Sequence, residues 1–155
     1  MTKKKLDFLS GESVINCGKL LNFGCDNSRY SKEVKNTIGA KGVYIIISDK
    51  QRYIYPKKDS KVIYIGKAVN LFSRIERHRK RLEWNISKND SELKYIWDND
   101  RYLYMRNHGA NVYYIKAKTN KPAMKLESEI MLEFYRKYQA TPIGNGARSL
   151  KVVAQ

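Results

Sequence analysis

Two apolar runs dominate the middle of the chain, Gly42-Val43-Tyr44-Ile45-Ile46-Ile47 and Val62-Ile63-Tyr64-Ile65-Gly66-Lys67. Their β-branched and aromatic content predicts strands. Tyr55-Pro56-Lys57-Lys58-Asp59-Ser60 between them reads as the tip of a hairpin. After Gly66 the apolar period changes from two to 3.6, and Leu71, Phe72, Ile75 and Leu82 fall on one side of a helix predicted from Val69 to about Leu82. Asn70, Arg74 and His78 follow at steps of four, so they share one stripe of that helix. Val112 to Ala117 predicts a further strand. Asn120-Lys121-Pro122 opens a last helix, with proline at a tolerated early position. It runs to about Tyr138 and stops before Thr141-Pro142-Ile143-Gly144-Asn145.

Elsewhere the pattern is weaker. Val14 to Phe23 reads as a short helix or a strand, Gly24 to Ser31 as loop, and Ser31 to Ile38 as a turn of helix before Gly39. Residues 1–41 are expected to be an N-terminal extension that covers an edge or face of the sheet, or else a DNA-contacting arm. Trp84 to Asp100 is polar and mixed, with a short helix predicted at Leu93-Lys94-Tyr95-Ile96-Trp97. Arg101 to Arg106 alternates weakly, and Asn107 to Asn111 reads as a turn. Residues 83–110 are therefore expected to form an inserted lobe of their own. Residues 147–155 form a tail in which Val152 and Val153 suggest an edge strand.

A chain of 155 residues with 42% hydrophobic content suits one globular domain with a real core. Charge changes the picture more. Against 31 Lys and Arg stand 15 Asp and Glu, a net +16, and a field of this size points to a polyanionic partner. Nucleic acid comes first. An anionic membrane comes second, since no apolar run approaches the roughly 20 residues of a span. Met1 to Ser10 has no hydrophobic core of a signal peptide. Cys17 and Cys25 have no second pair, which excludes a zinc knuckle or ribbon and predicts free thiols in a cytoplasmic protein.

The last helix offers Glu127, Glu129 and Glu133. Ala123, Leu126, Ile130, Met131, Phe134 and Tyr138 make one apolar face at about 100° per residue. Glu127 falls roughly 20° from the middle of that face, Glu133 about 100° and Glu129 about 140° away. Glu129 and Glu133 are expected to be solvated. An ionised carboxylate on a buried face costs several kcal/mol unless paired or bound to a cation, so Glu127 needs either a salt bridge or a metal ion. Arg74 and His78 lie near one border of their own helix's apolar face. Taken singly, each reads as a surface residue, and Tyr44 and Tyr64 as packing residues of a sheet.

Taken together they say more. Gly42-Val43-Tyr44, Tyr64-Ile65-Gly66, Arg74 ten residues beyond Tyr64 and His78 four further on resemble the GIY-YIG nuclease domain. Val43 stands for isoleucine in the first motif. Leu126-Glu127 with Ile130-Met131 looks like that family's helix with its single metal-binding glutamate, and Asn145 resembles the closing asparagine. The resemblance covers residues 42–146, and Pro142-Ile143-Gly144 is most similar to some type II restriction endonucleases.

The resemblance implies an α/β (α+β) domain: a small three-stranded mixed or antiparallel sheet flanked by helices. It implies hydrolysis of double-stranded DNA with one Mg²⁺ or Mn²⁺ ion, held by Glu127. Arg74 would grip the phosphate through its planar fork, and His78 would bond the phosphate or the surroundings of the nucleophilic water. By analogy Tyr44 is the candidate base and Tyr64 supports the nucleophile. A phenol is a poor base near neutrality, so Lys67, the metal or Arg74 is expected to lower it. Asn70, Asn145, Arg77 and Arg81 are expected to bind substrate, with Asn85, Asn89, Asn107 or His108 as base-reading candidates. Homing members of the family carry a separate DNA-binding domain after a linker; with none after residue 146, specificity is expected from the domain itself. A palindromic site would imply a homodimer. The rival expectations are a structure-selective, homing or repair-type nickase and a nucleic-acid-binding module without catalysis.

Overall fold

The computed structural model describes residues 3–9, 13–24, 30–93, 100–118 and 122–145. In chain order the elements are β1 (Lys3–Lys5), β2 (Ser13–Lys19), a 3₁₀ turn (Leu20–Asn22), α1 (Lys32–Lys35), β3 (Gly42–Ile47), β4 (Tyr53–Ile54) and β5 (Asp59–Ser60). There follow β6 (Val62–Ala68), α2 (Leu71–Ile86), α3 (Asp90–Leu93), α4 (Asp100–His108), β7 (Asn111–Lys116) and α5 (Ala123–Tyr138). The class is α+β.

β3 is the pivot because its residues are apolar on both sides. Val43, Tyr44, Ile45 and Ile46 are all buried, and the strand pairs antiparallel with β6 on one edge and β7 on the other. At Gly42 a Cβ would run into the carbonyl oxygen of Ile115, so only glycine lets these strands approach there. The hairpin tip is a small sheet of its own, β4 against β5.

The expected three-stranded sheet is corrected to five strands in the order β1-β2-β7-β3-β6. Without β2 the outer edge of β7 would leave a row of amide groups unpaired. β2 covers it antiparallel with a register shift between Asn16 and Gly18, and β1 covers β2. Sequence pattern missed this because β2 carries Asn16, Cys17 and Gly18, and β1 is lysine throughout. Val14, Leu20 and Phe23 join the common core, so β1, β2 and the 3₁₀ turn are part of the sheet's build. The free edge of β6 is closed differently. Gly144 N–H donates to Ile63 O at 2.7 Å, and the Asn145 side chain takes Ile65 N–H at 3.0 Å and donates to Ile65 O at 2.7 Å.

The described residues of 83–110 do not stand apart as a lobe. Residues 83–86 continue α2, and α4 packs back on α2 with Tyr102 and Met105 buried. The predicted helix at 93–97 lies outside the described residues beyond Leu93, as do Cys25, Val152 and Val153. Cys17 is a free thiol. Among the described residues no helix is long and apolar enough to cross a membrane.

Candidate active site

β3 and β6 place two phenols side by side. Their register pairs Tyr44 with Gly66 and Ile46 with Tyr64, and cross-strand partners share a face. The Tyr44 and Tyr64 rings lie 5.9 Å apart, tilted at 33°. Gly66 makes room for them: a Cβ there would sit 2.5 Å from the Tyr44 hydroxyl and 2.7 Å from Tyr64 Cε1. The glycine is thus demanded by the two rings beside it.

α2 covers this face. Asn70 caps the helix, its Oδ1 accepting from Ser73 N–H at 3.2 Å and from Gly39 N–H at 3.3 Å. Two turns on, His78 enters the core with only 5% of its surface exposed, which corrects its reading as a border residue. Its Nε2 lies 2.7 Å from the Tyr44 hydroxyl and its Nδ1 2.8 Å from the Tyr102 hydroxyl. Burial, with Arg101, Arg74, Arg81 and Arg77 around it, lowers its pKa to about 3, so the imidazole is neutral at pH 7.

The phenols differ in setting. Tyr44 is 1% exposed. Burial, then the neighbouring Tyr64, pushes it well above the ordinary phenol value; Arg74 acts the other way and loses. The expected lowering of Tyr44 by Lys67 is not seen. Tyr64 is half-buried and has the Arg101 guanidinium over its ring at 4.6 Å.

Glu127 is half-buried, one turn into α5. Burial raises its pKa, opposed by the Lys67 charge and the Lys67 backbone amide. Among the described residues it has no ion-pair partner. The amide groups of Ile63 and Ile65 face the free edge of β6, and alternation turns that of Lys67 the same way. Glu127 therefore stands at this edge, not over the middle of a face. Glu129 is exposed as expected, whereas Glu133 is half-buried with Oε2 out of reach of solvent, a correction to its reading as a solvated acid.

Beside the N-terminus of α5 opens a cleft of about 830 Å³ lined by Lys41, Lys67, Arg74 and Lys118, with Val69 and Met124 exposed on its walls. A smaller groove of about 270 Å³, lined by Val69, Asn70, Ser73, Arg74 and Arg77, adjoins it along α2. Arg74, Arg77, Lys80 and Arg81 are exposed, while Arg79 is held by Glu76 at 2.6 Å and Glu83 at 2.5 Å. The arrangement can hold a phosphodiester against a guanidinium and ammonium groups, with a carboxylate and two phenols nearby.

Not every expected residue joins this group. Asn145 spends its carboxamide on the Ile65 backbone, and the Asn70 oxygen is occupied in capping, so both serve the fold first. Asn85 is buried, which removes it from base reading, and His108 spends its Nδ1 on the Tyr53 hydroxyl at 2.9 Å. Conversely, sequence reasoning missed Tyr102 and Arg101, whose segment carried no clear period, and it missed Lys41 and Lys118, which sequence separates widely. No family model, curated protein or solved structure matches the chain.

Proposed function

We propose that this protein is a GIY-YIG-type endonuclease that hydrolyses phosphodiester bonds of double-stranded DNA with one Mg²⁺ or Mn²⁺ ion. One observation carries the reading: a half-buried carboxylate with a raised pKa and, among the described residues, no ion-pair partner stands at the strand edge beside Lys67, which lines the cationic cleft with Arg74. A binding module needs the charge but has no use for that acid.

The donor set fits a hard cation. Mg²⁺ keeps most of its waters and is commonly held through one or two carboxylates plus substrate phosphate, so a lone Glu127 suffices. When bound, the ion supplies charge neutralisation on the phosphate and on the leaving oxygen. Arg74, exposed at the junction of the two grooves, binds the scissile phosphate through its planar fork. Lys41, Lys67 and Lys118 hold the neighbouring backbone.

Tyr64 is the phenol that meets the nucleophilic water, because it is the more exposed of the pair. Tyr44, buried and held acidically weak, packs its ring against Tyr64 and orients it. α2 offers Arg77, Lys80 and Arg81 to further phosphates, giving a salt-dependent grip. Restriction-type sequence specificity, and a two-fold dimer on a palindromic site, complete the reading.

The test is incubation with a long duplex and Mg²⁺ followed by sequencing of the ends, for the parent and Glu127→Gln. Expected are discrete ends from the parent, loss of cleavage by at least about 100-fold in the variant, and retained DNA binding. A variant that cuts like the parent refutes the metal assignment. Uncut DNA with a gel shift would replace the nuclease by a binding module.

A further inference from the structure

α4 brings two adjacent residues into the tyrosine–histidine group, Arg101 over the Tyr64 ring and Tyr102 onto His78 Nδ1. Neither belongs to the motifs that define the candidate site. We propose that Tyr102 is a positioning residue, holding His78 as the Nε2–H tautomer so that its N–H points at the Tyr44 hydroxyl.

Donors and acceptors fix the direction. Tyr102 is 5% exposed, and among the described residues His78 Nδ1 is the acceptor within reach of its O–H. A buried hydroxyl left without an acceptor is costly. Arg81 is a cation near the same oxygen, and a guanidinium can only donate, so it offers that O–H no acceptor. The Tyr102 proton therefore goes to Nδ1.

A neutral imidazole that accepts at Nδ1 carries its proton on Nε2. Across the 2.7 Å contact that proton meets the Tyr44 oxygen, which leaves the Tyr44 O–H free to turn to the side where the Tyr64 ring packs. The donors Tyr102 and His78 thus point the same way and end at the Tyr44 oxygen. In the opposite tautomer the Tyr102 oxygen would accept from Nδ1–H, and its own O–H would be left with no acceptor among the described residues. The catalytic consequence rests on the nuclease reading; the effect on His78 does not.

The experiment combines ¹⁵N imidazole NMR of the full chain with cleavage kinetics for the parent and Tyr102→Phe. In the parent, the nitrogen shifts and ring-proton couplings should place the proton on Nε2. In Tyr102→Phe the two shifts should move toward each other as the tautomers mix. Turnover should fall by about 10-fold or more with KM within about 2-fold, the scale of lost outer-shell partners.

A proton on Nδ1 in the parent overturns the proposal, as does an unchanged nitrogen pattern in Tyr102→Phe. Mixed tautomers with parental turnover overturn the catalytic part. If the parent cuts no DNA, the nuclease reading falls while the spectra still decide Tyr102's hold on His78. If Tyr102→Phe does not fold, the parent spectrum and His78→Gln decide. Glutamine can keep an N–H toward Tyr44 and should retain several-fold more activity than His78→Leu; equal losses refute the donor role.

Discussion

Acid should weaken this protein through His78, and replacing that residue should remove the effect. The imidazole is buried and its pKa is lowered from 6.5 to about 3, by burial first and then by four arginines. The unfolded chain therefore binds a proton that the folded chain refuses, and stability falls as pH drops from about 6.5 toward 3. At about 1.4 kcal/mol per pH unit, the loss between pH 6.5 and 4.5 is about 2–3 kcal/mol. For a chain of this size that is about 5–10 °C in Tm. Carboxylates also titrate in this range, and Glu127, with its raised pKa, acts in the opposite sense. The measurement is therefore a difference: urea or thermal unfolding of the parent and His78→Gln at pH 7.5 and 4.5. The parent should lose about 2–3 kcal/mol more than the variant. Parallel losses in the two proteins would mean that His78 is not held neutral, and the donor series through it would lose its basis.

The remaining predictions concern single groups. Gly66→Ala places a methyl against the Tyr44 and Tyr64 rings and should cost about 1–3 kcal/mol by overpacking; cleavage per folded molecule should drop as well, and unchanged denaturation midpoints would show that the rings have slack. Arg74→Ala should reduce turnover by about 100-fold or more with a smaller loss in DNA affinity, and Arg74→Lys should recover only part because it lacks the fork; equal losses in binding and turnover would make Arg74 an ordinary phosphate contact. Asn145→Ala removes two hydrogen bonds to Ile65 and should lower stability by about 1–3 kcal/mol, read by chemical denaturation. A raised KM with unchanged stability would instead return Asn145 to the substrate.

Periodicity alone determined β3, β6, α2 and α5 to within a few residues, and with them the neighbourhood of Tyr44, Tyr64, Arg74 and Glu127. Those elements bury continuous apolar surface, so their pattern is written in residue type. α4 was illegible because its buried contribution is mainly Tyr102 and Met105 among polar neighbours, and β1 because three lysines form a strand only when β2 pairs with them. Helical spacing likewise set His78 at a border, and α4 turned that border into an interior by closing over it. Glu127 was singled out by its place among apolar residues, yet its position at the β6 edge follows from how α5 lies against the sheet. Asn145 shows the same limit: an asparagine after a helix suits a ligand or a strand edge equally well, and only the unpaired amide groups of β6 decided between them. A chain encodes which faces are apolar through its own local order. Which polar groups meet depends on how those faces stack, and that is set by residues far apart in sequence.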